Sequence, residues 1–181
     1  KLEVINGGPA TLPAAKRPRI EIPDNYILMP TGNDVRKNNE NAIRGFDIFN
    51  QQHGNRYNLV VTSVFSPEEV QQLSAISSEV VFTGSVDDAE LAWLYKHCQS
   101  VLFPSVLEGL GMPLLEGLVN DKPVAASRID VFEEISERLP YYFNPHDPVD
   151  IAEAIGLAIN KEGFAARQKE YQEVIASYSW E

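Results

Sequence analysis

Cysteine, histidine and positive charge are all scarce in this sequence. One cysteine, Cys98, among 181 residues excludes an internal disulfide and a thiolate metal cluster, and fits a packed side chain in a reducing compartment. The three histidines, His53, His97 and His146, have no partners at metal-ligand spacing, so neither a metal site nor a Ser/His/Asp triad is assigned. Lys and Arg number 15 against 26 Asp and Glu, a formal net charge of −11. That balance argues against a sequence-independent nucleic-acid binder, whose affinity comes mainly from cations set against phosphates. A small anionic ligand stays open, because a few local cations and backbone N–H groups can hold one against the net charge. No apolar run nears the roughly 20 residues of a membrane span, and no signal-peptide pattern is present. The first residue is Lys1 rather than methionine, which leads to the expectation of a piece of a longer chain.

What is present is an ordinary globular composition, long enough for one domain with a real core. Residues 1–25 carry prolines at 9, 13, 18 and 23 and the basic stretch "KRPR". Proline at that density excludes a helix and predicts an extended lead-in, with an edge strand around "RIEI". From Tyr26 the pattern changes. Short β-branched or aromatic runs ("YILMP", "YNLVVTS", "EVVFTG", "SVLFPS", "PVAAS", "YYF") alternate with segments of helical period at 38–52, 67–76, 87–98, 113–120, 130–137 and 147–160. Ser66-Pro67, Asp87, Asp130 and Asp147-Pro148 are suitable helix starts. Six β–α units in a row predict an α/β fold: a Rossmann-like, doubly wound, mostly parallel six-stranded sheet with helices on both faces over 26–181. Ligands of such sheets bind beyond the carboxyl ends of the strands.

The strand exits are therefore where chemistry is sought. At 105–117, "SVLEGLGMPLLEG" places Gly109 and Gly111 in a loop and Pro113 in the first turn of a helix, an arrangement suited to an anion. Glu116 then falls in the first helical turn, with Glu108 in the loop before it. By spacing alone, Glu116 is equally well a carboxylate favoured by the helix dipole, and Glu108 a solvated loop residue. At 31–38, "TGNDVRKN" offers a tight turn at Gly32 and puts Arg36 and Lys37 at the start of the next helix. Cations there oppose the macrodipole, a cost that an anionic ligand would offset; a solvated basic pair is the plainer alternative. At 82–86, Thr83 and Gly84 leave room for a flat base, although an ordinary turn explains them too.

Taken together, these stretches resemble the C-terminal, nucleotide-sugar-binding domain of retaining GT-B glycosyltransferases, specifically family 4 (group 1). The likeness covers nearly all of 26–181 and rests on "RKNNENAIRGF", on "VVFTGSVDDAELAWLYKHCQSVLFPSVLEGLGMPLLEGL" with seven residues between Glu108 and Glu116, on "KPVAASRIDVFEEI", on "YYFNPHDPVDIAEAI" and on "YSWE". The resemblance implies transfer of a sugar from a nucleotide-diphosphate sugar with retained configuration, in polysaccharide assembly and without a metal or other cofactor. It implies that Glu108 contacts the donor sugar and Glu116 the ribose hydroxyls. Gly109, Leu110, Gly111, Met112, Pro113, Leu114 and Leu115 would lie along the diphosphate and sugar through their backbone. Arg36 and Lys37, beside Gly32, would neutralise the leaving diphosphate, and Thr83, Gly84 and Val86 would line the base.

It further implies that the acceptor-binding N-terminal domain is missing. The fragment alone would bind donor weakly and transfer nothing. Its place would be cytoplasmic, any membrane attachment coming from the missing part. The sequence departs from the family pattern at Asn33, where many members carry Arg, at Leu110, where Phe is common, and at "GLVND". There Asn120 or Asp121 must supply the left-handed helix end usually given by glycine. A non-catalytic GT-B-like partner or glycan-binding module is the main alternative, and a sugar-nucleotide epimerase of similar architecture a lesser one. A dinucleotide-dependent dehydrogenase half is excluded for want of G-x-G-x-x-G in the first strand–helix turn.

Overall fold

The computed structural model describes residues 13–109, 112–136 and 138–177. Strands and helices alternate: β1 Tyr26–Pro30, α1 Asn39–Gln52, β2 Asn58–Thr62, α2 Pro67–Ser74, β3 Val80–Phe82, α3 Asp88–His97, β4 Ser100–Phe103, α4 Met112–Val119, β5 Val124–Ser127, α5 Asp130–Ser136, β6 Tyr141–Phe143, α6 Pro148–Ala158 and α7 Lys161–Ser177. Three of the four starts read from the sequence carry caps, and the fourth, Asp130, is the first residue of α5. Ser66 and Asp87 each form a reciprocal capping box, with Glu69 and Glu90, and Asp147 accepts from the Val149 N–H. Each satisfies backbone donors that a helix end would otherwise leave unpaired.

The six strands are all parallel in the order β3-β2-β1-β4-β5-β6. The order reverses between β1 and β4, which opens a crevice beyond their carboxyl ends. Alternation along each strand divides the core in two. Tyr26, Leu28, Val60, Val101 and Phe103 face α3, α4, α5 and α7, whereas Ile27, Met29, Leu59, Val61 and Leu102 face α1, α2 and α6. A strand buried on both faces reads as an uninterrupted apolar run, which is why these segments stand out in the sequence.

Three expectations need correcting. Residues 19–22 form no strand: Pro18 and Pro23 bracket them, Ile20 is on the surface, and Ile22 is buried against the core as an irregular segment. The neighbouring residues lie against α3, where the Lys16 N–H donates to the Ala89 carbonyl at 2.9 Å and Arg17 sits over the Trp93 ring. Arg36 and Lys37 do not begin α1. They end a separate 3-10 turn, Val35–Lys37, capped by Asp34 and closed by Asn38 in the left-handed region (φ 56°). Finally, α4 starts at Met112, so Glu116 lies in its second turn and not its first.

Helix α7 is not singled out by periodicity, because nine of its seventeen residues are charged or polar. Tyr171 anchors it, fully buried, donating its hydroxyl to the Leu139 carbonyl at 3.0 Å and meeting Phe164 edge-on.

Candidate active site at the switch point

Two loops meet in the crevice. The loop after β1 carries Gly32 and the 3-10 turn, and the loop after β4 carries Glu108. The Val106 N–H donates to the Arg36 carbonyl at 2.8 Å, and the Lys37 ammonium donates to Glu108 Oε1 at 2.6 Å. Their side chains are 26% and 15% exposed, so this ion pair is partly shielded from water and screened less than a surface one. Gly32 lies against Lys37: a Cβ there would come within 3.8 Å of Lys37 Cε. Gly109 has open space where a Cβ would be.

Arg36 is held differently. Its Nε and Nη2 donate to the two oxygens of Asp34 at 2.9 and 3.0 Å, and the same carboxylate accepts the Arg36 N–H at 2.8 Å. These hydrogen bonds lower the Asp34 carboxyl to about 2 and raise Arg36. Both groups are exposed, so the fork fixes direction more than it adds stability.

Asn38 ties the crevice together. Its side-chain N–H groups donate to the carbonyls of Pro104, at the β4 exit, and Pro145, after β6, at 3.1 and 2.7 Å. The amide oxygen accepts instead from the Asn41 side chain at 2.9 Å, and it makes no capping bond to an α1 backbone N–H. Replacing Asn38 by Ala is expected to cost about 2 kcal/mol, through three lost side-chain bonds and left-handed strain. Asn38→Gly should recover the backbone part, and urea denaturation of the two variants checks the difference.

Glu116 lies on α4 and faces α3. The Tyr95 hydroxyl donates to Glu116 Oε2 at 3.2 Å. Burial raises Glu116, the Tyr95 bond lowers it, and the charge of Asp88 raises it again. Leu114 and Leu115 are in the core, so only their backbone is available to a ligand. Leu110 and Gly111 lie outside the described residues, as do the side chains of Met112 and Pro113.

Thr83 and Gly84 turn the chain away from β3, Gly84 at φ +70°, where a side chain would be strained. The Thr83 hydroxyl donates to the Gly84 carbonyl at 2.9 Å, and Val86 packs against the core. Beside them a cleft of about 400 Å³ is walled by Lys16, Pro18, Arg19 and Ile20 of the lead-in and by Thr83, Ser85 and Val86.

At the far end of α4, Asp121 takes the left-handed position (φ 55°) in place of the usual glycine, and Asn120 donates to the Glu116 carbonyl. The sequence pattern missed Asp34, Asn38 and Tyr95. A carboxylate two residues before an arginine is the one local signal, since Asn38 and Tyr95 act across the fold.

Among the described residues no three His, Cys, Asp or Glu side chains gather that could hold a metal ion. Cys98 is buried, donates to the Tyr95 carbonyl and is pushed up to about 12 by burial, which makes it an inert packing residue. No helix among the described residues is long and apolar enough to cross a membrane.

A parallel sheet with helices on both faces and a crevice at the strand-order reversal defines an α/β domain of the doubly wound class. The chain belongs to the glycosyl transferases group 1 family, whose description matches residues 15–174. It is 29% identical over 170 residues to the serotype-specific mannosyltransferase WbdA of Escherichia coli, covering 90% of this chain and 21% of that protein. The chain thus spans about a fifth of that relative's length.

Among solved structures, all GT-B glycosyltransferases in fold, two are informative. The C-terminal domain of the group 1 glycosyl transferase LpcC from Francisella tularensis aligns at TM-score 0.68 and 18% identity, covering 84% of this chain and 85% of that one. A UDP-forming α,α-trehalose-phosphate synthase from Burkholderia xenovorans aligns at TM-score 0.70 and 14% identity, covering 86% of this chain and 41% of that one.

Proposed function

We propose that this chain is the donor-binding part of a retaining, family 4 glycosyltransferase that takes a sugar from a nucleotide-diphosphate sugar. The observation that carries the reading is the pairing of Lys37 with Glu108 across the switch-point crevice, at 2.6 Å, beside Gly32 and Gly109. A diphosphate entering there meets Lys37, the Arg36 guanidinium and the N–H groups at the start of α4. All of these stabilise the charge that grows as the leaving group departs. No metal is needed in this scheme, because the two cations take that role.

Once the diphosphate replaces it on Lys37, Glu108 accepts hydrogen bonds from the donor sugar, while Glu116 grips the ribose and the turn at Thr83, Gly84 and Val86 bounds the base. The name of the WbdA relative supports a mannosyl donor. Val35, Val64 and Leu107 are exposed apolar residues on the strand-exit side. They support an acceptor-binding domain covering this face in the whole protein. The chain alone then binds donor and transfers nothing, and any attachment to a membrane comes from other parts of the protein.

Titrating the 15N-labelled chain with UDP, GDP and ADP is expected to shift the amides of Gly32, Lys37 and Gly109 with at least one of them. Silence from these amides with all three would overturn the reading.

A further inference from the structure

The Tyr95 hydroxyl is the one donor among the described residues that reaches the Glu116 carboxylate, at 3.2 Å. Tyr95 has no other visible reason to keep a hydroxyl. Its ring is wholly buried in the core beneath α3, where phenylalanine would fill nearly the same volume. A buried hydroxyl that gains a single, partly exposed carboxylate as partner orients that carboxylate. Bonding Oε2 on one side leaves a lone pair of that oxygen and both of Oε1 for a ligand. Two acceptor oxygens at a fixed angle match a pair of vicinal hydroxyls, such as those of a ribose.

We infer that Tyr95 is a positioning residue that holds Glu116 for the 2′- and 3′-hydroxyls, and so sets the preference for a ribonucleotide over a deoxyribonucleotide. The inference rests on the donor-binding reading above.

Among the described residues, the charged and titratable groups facing Glu116 are few. From α3 come Tyr95 and Asp88. Strands β4 and β5 present Val101, Phe103 and Val124 to α4. The α7 amides of Gln168 and Gln172 are engaged by Asp121, beyond the far end of the helix. Burial and Asp88 raise Glu116, and the Tyr95 bond opposes them. The ionised carboxylate is the form that accepts from the ribose, so ribonucleotide preference falls as pH drops through the Glu116 pKa. Without the Tyr95 donor that pKa rises further, and the acid limb moves to higher pH.

The test measures dissociation constants of UDP and GDP, each beside its 2′-deoxy counterpart, by calorimetry on the 181-residue chain between pH 5 and 8. Taking the ratio of ribo to deoxy affinity cancels titration of the phosphates themselves. The unsubstituted chain is expected to prefer the ribonucleotide about tenfold, and Tyr95→Phe to reduce that to about threefold or less, as for loss of one hydrogen bond to a charged group. Its acid limb should move upward. Ring carbons of 13C-labelled tyrosine report the Glu116 titration at Tyr95 without any substitution, and Glu116→Gln should abolish that response.

An unchanged ratio and unchanged acid limb in Tyr95→Phe would overturn the inference while leaving the donor reading intact, and so would a Tyr95 ring that does not sense Glu116. Failure of every diphosphate to bind the unsubstituted chain would overturn the donor reading, and this inference with it.

Discussion

Replacing Lys37 by Met is expected to weaken UDP or GDP binding by about 30-fold, while Glu108→Gln is expected to tighten it by about threefold. The first effect combines a lost charge-assisted bond to the diphosphate with a carboxylate left unpaired beside it, a combination of about 2 kcal/mol. The opposite sign of the second follows from the 2.6 Å pair. On the proposed donor-binding reading, Glu108 occupies the cation that a diphosphate would take, so binding would include breaking that bond, and glutamine removes the competitor.

With an intact nucleotide sugar, in the full-length enzyme, Glu108→Gln should instead lower turnover, since glutamine is a weaker acceptor for the sugar hydroxyls. A carboxylate whose loss helps the product and harms the donor is unlike a simple binding residue. Calorimetry on the single and double variants measures the coupling directly. Weakened diphosphate binding in Glu108→Gln would rule out the exchange of partners on Lys37.

The largest effect on stability is expected at Gly45. A Cβ there would sit 2.5 Å from Ile151 Cγ2, 2.6 Å from Ile151 Cβ and 3.0 Å from the Pro148 carbonyl oxygen. None of these atoms is free to move, because Ile151 is wholly buried where α1 crosses α6. Gly45→Ala must push the two helices apart, at about 3 kcal/mol before the better helix propensity of alanine returns up to about 1. A net loss near 2 kcal/mol lowers the melting temperature of a chain this long by about 4–8 °C.

Gly156→Ala is the control. Its added Cβ would meet only Phe49 Cδ2, at 4.0 Å, so propensity should dominate and the variant should be as stable as the parent or more so. Equal melting temperatures for the two variants would contradict the close approach of α1 and α6. Because α1 begins beside Asn38 and α6 follows Pro145, Gly45→Ala should also loosen the amide link between them.

Much of the architecture is legible in the sequence because strands buried on both faces must be continuous apolar runs, and helix starts carry their own chemistry at Ser66, Asp87 and Asp147. Asp121 could be expected at the left-handed helix end, since aspartate tolerates that geometry better than most residues. Elsewhere local signals misled. The four residues "RIEI" have strand propensity, yet the prolines on either side and the burial of Ile22 alone decide otherwise. Helix α7 has too few apolar positions to show a period, and it is held by Tyr171 against a surface that the rest of the chain must first build. The start of α4 moved by one residue, enough to take Glu116 out of the first turn and make its environment a matter of Tyr95 and burial.

The sequence by itself determined the alternation of strands and helices and the parallel sheet, because periodicity, caps and glycines act over a few neighbouring residues. Only the tertiary structure decided which side chains face one another. Lys37 meets Glu108, Tyr95 meets Glu116, and the Asn38 side-chain N–H groups join the exits of β4 and β6. These partners are 21 to 107 residues apart in the chain. The energy that selects them comes from burying the two faces of the sheet, which no local stretch contains.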